Sequence, residues 1–302
     1  MISMDISLKV FVTVVEKGNF TRAAEELMMT QPAVSQYIQA LERAMGTKLL
    51  ERTNKYVRMN QAGEIVFHHA KDILGMHTRM QTLVDDLLHR ASGELSIRAS
   101  YTFGEYVLPH IVAYMHKKYP LIRPSINIGN TTEVAEAILN HEADIGIVEG
   151  EYDHDHLYIE AFAEDEMFII VPNEKRFRGR EAVSLAELDK ETWIVRENGS
   201  GTRRAADQMF AARNFHPESK LEFGSTQLIK ESVESGLGVT LLSHWAVRKE
   251  ISLGTLLMMK PDGDPVRRQF SLVTQKTPYH TKAAEIFLDL LRLNEAFPES
   301  YI

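Results

Sequence analysis

The sequence predicts an α/β protein in three parts: a small helical head with a β hairpin beside it, one long helix, and a two-lobed body of alternating strands and helices. Three observations carry this. Charge is unevenly divided, since residues 1–60 hold eight Lys and Arg against six Asp and Glu while the 302-residue chain has net charge −8, leaving −10 for the rest. No proline interrupts the stretch from Ala62 to Arg90, and its apolar positions recur in alternating steps of three and four. From Leu95 onward short strand-like runs alternate with helical ones, the traffic of βαβ units.

The first head helix follows from Leu8, Phe11, Val12, Val14 and Val15, a broad apolar stripe that closes at Gly18-Asn19. A second, about two turns long, is expected after Phe20, with Thr21 as its cap and Ala23, Ala24 and Leu27 facing neighbours. Such a short helix needs packing to persist. The third begins at Thr30-Gln31-Pro32, where proline starts a helix without losing a needed donor. Val34, Ile38, Leu41 and Met45 form its buried stripe, and Gln31, Ser35, Gln36 and Gln39 its opposite face. Those polar groups are neutral and short enough to approach base edges, where a merely solvated face would carry Glu and Lys. Two short β-like pieces around Thr53-Asn54-Lys55 follow, with Lys48, Arg52, Lys55 and Arg58 against a single Glu51. They read as a basic wing. A basic head on an acidic body is the asymmetry of a nucleic-acid module joined to something else.

In the long helix, Val66, His69, Ile73, Met76, Met80, Leu83 and Leu87 keep heptad spacing. At 1.5 Å per residue it is a rod of roughly 40 Å. A narrow seam of that length implies either a coiled-coil partner or docking on the same chain, and Gly75 either weakens the helix or allows a close approach.

In the body, strands are expected at 95–99, 125–128, 144–148, 166–171, 192–195, 221–223, 239–242 and 268–274. Helices are expected at 103–118, 133–140, after Gly201, at 227–234 and at 283–293. The order implies a mostly parallel sheet with covered faces, in two lobes that the chain crosses near residues 162–166 and 265–270. Ser100-Tyr-Thr102, Asn130-Thr-Thr132 and Gly199-Ser-Gly-Thr-Arg203 each follow a strand and open a helix, where hydroxyls and free N–H groups favour an anion. The same residues are also ordinary helix caps.

Composition bounds the function. With 44% hydrophobic and 25% charged residues the chain is ordinary globular material of about two domains. The absence of cysteine excludes disulfides, thiolate metal sites, iron-sulfur clusters and a cysteine nucleophile. Met1 to Ile6 shows no signal-peptide pattern, and no apolar run approaches the roughly 18 residues that span a bilayer. The expectation is a cytoplasmic protein without membrane contact. Of twelve histidines only His68-His69 and Asp153-His-Asp-His156 cluster, and the second offers zinc or nickel ligands or a solvated turn. Gly199-Ser-Gly-Thr-Arg203 lacks the second glycine of a nucleophile elbow, and neither a Walker A lysine pattern nor GxGxxG at a strand end occurs. No catalytic residue, metal site or cofactor is expected.

The run of Phe11, Gly18-Asn-Phe-Thr-Arg-Ala-Ala-Glu-Glu-Leu27, Gln31-Pro-Ala-Val-Ser-Gln-Tyr-Ile-Gln-Ala-Leu-Glu42 and Gly46-Thr-Lys-Leu-Leu-Glu-Arg52 closely resembles the winged helix-turn-helix of LysR-type transcriptional regulators. The body is similar to that family's periplasmic-binding-protein-like effector domain, through Pro120, Asp144-Ile-Gly-Ile147 and Gly236-Leu-Gly-Val-Thr-Leu-Leu242. The resemblance implies a DNA-binding domain over 1–60, a linker and dimerisation helix over 61–91, and an effector-binding domain over 92–302. Within the last, lobe I comprises 92–163 with 269–302, and lobe II 164–268.

The resemblance also implies roles. Thr30, Gln31, Pro32, Ser35, Gln36 and Gln39 belong to the major-groove helix, and Arg52, Lys55 and Arg58 to the wing. Ser100, Thr102, Phe103, Thr131, Ser200, Thr202 and Arg203 would hold a small anionic effector. Expected partners are double-stranded DNA, that effector, and a second copy in a homodimer or homotetramer. One departure is visible: Gln36 stands where the family often has arginine, and a glutamine favours adenine over guanine. The rival reading is a two-lobed solute-binding or enzymatic protein whose head serves oligomerisation.

Overall fold

The computed structural model describes residues 4–52, 57–88, 92–277, 279–293 and 297. They form two units, a head that runs through Leu88 and takes in Asn140–Glu142, and a body made of the remainder.

The head contains the three expected helices, α1 (Met4–Lys17), α2 (Phe20–Glu26) and α3 (Gln31–Met45). Leu8, Val10, Phe11 and Val14 of α1 close over Ala23 and Ala24 of α2 and Val34, Ile38 and Leu41 of α3, all buried in one core. The cap of α2 differs from expectation. Asn19, not Thr21, performs it, its Oδ1 accepting from the N–H of Thr21 at 2.8 Å and of Arg22 at 3.1 Å. Asn19 lies in extended backbone just before the first turn, which an N-cap requires and Thr21, inside the helix, does not satisfy. The apolar stripe of α3 also stops a step early. Met45 is 39% exposed because the chain leaves the helix at Gly46 in left-handed conformation, and Glu42 is the buried group at that end.

Strands β1 (Leu50–Arg52) and β2 (Val57–Met59) pair antiparallel, Leu50 opposite Met59. Thr53, Asn54 and Lys55, the expected wing tip, lie outside the described residues. Asn60 then caps α4 (Gln61–Leu88), accepting from the Gly63 N–H at 2.9 Å. Along the expected seam Val66 packs against the head core, whereas Ile73, Met76 and Met80 are exposed. A row of large apolar side chains in water is the mark of a surface awaiting a partner.

The body opens with β3 (Gly93–Ser100), α5 (Tyr101–Tyr106), α6 (Leu108–Lys118), β4 (Ile122–Gly129), α7 (Thr131–Leu139) and β5 (Ile145–Glu149). The single helix expected over 103–118 is two, broken at Val107 ahead of Pro109, which has no N–H to continue the ladder. Next come β6 (Leu157–Pro172), β7 (Ala182–Val183), β8 (Thr192–Arg196), α8 (Gly201–Ala212), β9 (Ser219–Phe223), α9 (Thr226–Glu234), β10 (Thr240–Ser243), α10 (His244–Leu253) and β11 (Leu256–Pro261). The body ends in β12 (Val266–Gln275) and α11 (Lys282–Arg292).

The sheet is mixed, which corrects the mostly parallel expectation. Parallel pairs join β3 to β4 and β5, and β8 to β9, inside the βαβ stretches. The two crossing strands, β6 and β12, run antiparallel to each other; β12 is antiparallel to β5, and β6 to β10 and β11. A strand returning from one lobe to the other must oppose the strand that left. β6 is sixteen residues long, and only its apolar end was expected; Glu160, Glu164 and Asp165 interrupt its pattern where it crosses. Lobe I packs around Leu95, Ile97, Phe103, Ile111, Leu272 and Phe287. Lobe II packs around Met167, Ile169, Trp193, Met209, Phe210 and Leu241.

Candidate nucleic-acid interface and interlobe site

The outer face of α3 is built from its caps inward. Thr30 Oγ1 accepts from the Ala33 N–H at 3.4 Å, and Pro32 lies in the first turn, so the helix starts with its polar residues already oriented. Thr30, Gln31, Pro32, Gln36 and Gln39 are exposed and Ser35 is half-buried. Gln31 Nε2 donates to Ser35 Oγ at 3.2 Å, so two of the expected base-reading groups face one another along the helix. Val34, Ile38 and Leu41 hold the opposite face in the core, which fixes the rotation of α3.

The basic groups lie on the same module. Arg43 and Lys48 are exposed at the end of α3 and just beyond it, and Arg58 on β2. Arg52 has its backbone in β1, opposite Val57; its side chain and Lys55 lie outside the described residues. The wing is tied to α3 by Glu42. This carboxylate, 4% exposed, accepts from the Leu49 N–H at 3.1 Å and from Lys48 Nζ at 2.8 Å. Burial pushes its pKa up, but the Lys48 ammonium and the Leu49 N–H outweigh that and hold it below the usual carboxylate range.

In the body, the three expected helix starts converge, and they converge on a residue that sequence reasoning missed. Glu149 ends β5 and is 2% exposed. Its Oε1 accepts from the backbone N–H of Thr102 at 2.7 Å and of Phe103 at 3.4 Å. Its Oε2 accepts from Arg268 Nη1 at 2.7 Å and from the Thr202 hydroxyl at 3.3 Å. Thr131 Oγ1 lies 3.3 Å from the Glu149 carbonyl oxygen and 3.4 Å from its N–H. Ser200 caps α8, accepting from the Arg203 N–H at 3.4 Å. Ser100 Oγ is buried without a hydrogen bond of standard geometry, yet lies close enough to the Glu149 carboxyl to favour its charged form.

Arg268 organises the site. It sits on β12 directly across from Asp165 on β6, where the chain crosses between lobes. Besides Glu149 it donates to Asp165 Oδ2 at 2.7 Å, to the Thr202 hydroxyl at 3.0 Å and, through Nη2, to the Thr102 hydroxyl at 3.0 Å. Ser243 donates to Asp165 Oδ1 at 2.6 Å. Burial alone raises the pKa of Glu149, but the Arg268 charge, Ser100, the Thr102 N–H and the Arg196 charge bring it below the ordinary value. Asp165 goes the other way, because burial outweighs Arg268 and Ser243, and Glu149 repels it. A second buried guanidinium, Arg196, makes a bidentate pair with Glu197, donates to Thr226 Oγ1 at 3.0 Å and lies 4.2 Å from the centre of the Tyr101 ring.

The lobes touch at this point. The Thr132 N–H donates to the Gly199 carbonyl at 3.3 Å. At Gly201 an added Cβ would stand 2.2 Å from the Glu149 carbonyl oxygen, so only glycine lets α8 approach this closely.

Two expected effector residues have side chains engaged by the protein itself. Phe103 contributes its N–H, but its ring is buried in the lobe I core, edge-on to Phe162 and Phe270. Arg203 is occupied by Asp207 and Glu222, at 2.8 and 2.7 Å, and by the Arg196 carbonyl. Glu149 was findable, since it caps the apolar Asp144–Val148 run at the carboxyl end of a strand, where open α/β sheets bind ligands. Arg268 and Asp165 lay inside the two expected crossings without a signal to mark them as partners. Asp153-His-Asp-His156 forms a surface turn, the His156 N–H donating to His154 Nδ1 at 3.3 Å, and among the described residues no group of three or more His, Cys, Asp or Glu is placed to hold a metal. Among the described residues no helix is long and apolar enough to cross a membrane.

Comparison with known proteins covers both units. Residues 7–64 match the family described as bacterial regulatory helix-turn-helix protein, lysR family, and residues 89–295 match the LysR substrate binding domain. HTH-type transcriptional regulator CysL of Bacillus subtilis is 37% identical over 287 residues, covering 95% of this chain and 96% of that protein. The crystal structure of full-length CbnR complexed with its target DNA shares the fold, with a TM-score of 0.73 at 21% identity over 96% of this chain and 99% of that one. The Synechocystis PCC6803 CcmR regulatory domain, solved in complex with 2-PG, has a TM-score of 0.62 at 25% identity, covering 67% of this chain and 97% of its own.

Proposed function

The chain belongs to the LysR family of DNA-binding transcriptional regulators, and from that premise we propose which of its residues read DNA and which sense the effector. It is a regulator and not an enzyme, and it binds double-stranded DNA and a small-molecule effector; we infer that it works as an oligomer. The observation that carries the DNA assignment is the two-faced α3: Val34, Ile38 and Leu41 locked in the core, Gln31, Gln36 and Gln39 in water. Thr30, Gln31, Pro32, Ser35, Gln36 and Gln39 enter the major groove, and Arg52, Lys55 and Arg58 grip phosphates beside it.

The functional parts are read as 1–60 for DNA, 61–91 for association through the exposed α4 seam, and 92–302 for effector binding. The exposed Ile73, Met76 and Met80 support the second of these. The effector is a small anionic molecule, held between the lobes near Ser100, Thr102, Thr131, Ser200 and Thr202. The converging hydroxyls and helix-start N–H groups support that charge preference, and the CcmR domain solved with 2-PG supports a small ligand in this part of the chain. A DNA-binding regulator of this kind works in the cytoplasm.

The test is binding of the intact chain to genomic duplex fragments across salt concentrations. The expected result is a fragment-specific complex whose affinity falls steeply and log-linearly with salt. Failure to retain any fragment at low salt overturns the reading.

A further inference from the structure

The donors that an anionic effector needs are already taken, and they are taken by the protein. Glu149 places its carboxylate against the Thr102 N–H, the Thr202 hydroxyl and Arg268 Nη1, at 2.7, 3.3 and 2.7 Å. These come from lobe I, lobe II and the strand that crosses between them, which is the combination an interlobe oxyanion would have to engage. We propose that Glu149 is an internal anion of the interlobe site: it stands in for the effector's acidic group, and an external oxyanion binds only by competing with it for the same donors. This inference rests on the interlobe effector reading given above and names the residue that sets its selectivity.

The local charge balance points the same way. Arg196 is matched by Glu197 in a bidentate pair, which leaves Arg268 alone against two buried carboxylates, Glu149 and Asp165. With both acids ionised the group around Arg268 carries one negative charge in excess, and an added oxyanion would bring two into a buried site. Burial is the main cause of the upward push on Asp165, and repulsion by Glu149 adds to it in the same direction. Neutralising Glu149 leaves Arg268 balanced by Asp165, and an oxyanion then restores the present charge and the present hydrogen bonds.

Glu149 also does something a diffusible anion cannot. It is covalently part of β5, and its carbonyl oxygen abuts Gly201 of α8, so the approach of the lobes is maintained from within the chain. Competition by an effector would change how the lobes are held while leaving them joined, which gives the site two arrangements.

The test compares full-length protein with E149Q and E149T, using sulfate and phosphate as probes against chloride at fixed ionic strength, by titration calorimetry. E149T keeps a hydroxyl at the site, so a folded variant remains available if E149Q is too unstable, and circular dichroism with duplex binding checks both. The expected result is weak binding by the native chain and at least a tenfold gain in sulfate or phosphate affinity in a folded variant, lost when Thr202→Val is added. Equal affinity in native and variant proteins, abolished by Thr202→Val, overturns competition by Glu149 while leaving the anion site in place. No saturable binding by either overturns both the competition and the anionic reading of this site.

Discussion

Replacing Glu42 by alanine removes the group that locks the wing to α3. Two partners are lost. The Leu49 N–H is buried, and without its acceptor at 3.1 Å it keeps the desolvation penalty of an unmade hydrogen bond, about 1–3 kcal/mol. The Lys48 side chain is 75% exposed, so its ion pair adds only a few tenths of a kcal/mol. The head is expected to lose about 1–3.5 kcal/mol in total, against a net stability of ordinary domains of about 5–15 kcal/mol. At about 1.4 kcal/mol per decade this is a roughly 5- to 300-fold faster exchange of the slowest head amides. Hydrogen exchange of the full-length protein reads it directly at Val10, Phe11, Val34 and Ile38, which are all fully buried. The effect is pH-dependent with a fixed sign. Because the folded pKa of Glu42 is lowered, its stabilisation is present above the unfolded value of about 4.3 and disappears as pH falls through the folded one. The difference between native and E42A protein should therefore be full at pH 7 and shrink below about pH 4. E42Q, which keeps an acceptor for Leu49, should lose less than E42A. Protection within threefold of native at pH 7 in E42A would refute the reasoning.

Further outcomes follow from other parts of the molecule. Gln36→Ala and Ser35→Ala should each relax preference at one base pair by about 1–3 kcal/mol in a randomised-duplex selection, with non-specific affinity unchanged. Arg58→Ala should instead weaken all duplexes alike and lower the log–log salt slope by about 0.9; an unchanged slope removes this side chain from the phosphate contacts. Charging the exposed row on α4 with Met76→Glu and Met80→Glu should shift the protein to a lower oligomeric state in sedimentation velocity, and an unmoved boundary assigns assembly to another surface. Arg268→Met strands two buried carboxylates and should cost the body about 3–5 kcal/mol, seen as a lowered denaturant midpoint; a midpoint equal to native would mean that the two acids take up protons at no cost.

How much was legible beforehand depended on whether a residue's partner was near in sequence. Helix α3 could be read almost entirely, because its stripe, proline, cap and closing glycine all lie within one run of seventeen residues from Thr30 to Gly46. The cap of α2 was misread by two positions, since both Asn19 and Thr21 are competent caps and only backbone conformation decides between them. In the body, Ser100, Thr102, Thr131, Ser200 and Thr202 were found as helix openings, and they do gather at one place. Their common centre was invisible for a physical reason. Arg268 lies 119 residues from Glu149 and 103 from Asp165, and nothing local to any of the three announces the pairing. The direction of β6 and β12 was hidden likewise, because apolar periodicity reports that a strand exists and not which way its neighbour runs.

The two segments that join the lobes are neighbours bonded along their length, from Val266 opposite Met167 to Gln275 opposite Leu157, with a single register irregularity beside Phe270. A ribbon of that kind is compliant in torsion and stiff in bending, since opening it like a book would tear its ladder. Motion between the halves is thereby channelled into small rotations about the ribbon's own axis, with the bulge beside Phe270 as the natural point of give. A rearrangement at the interlobe site is expected to leave the body as a small twist about this ribbon.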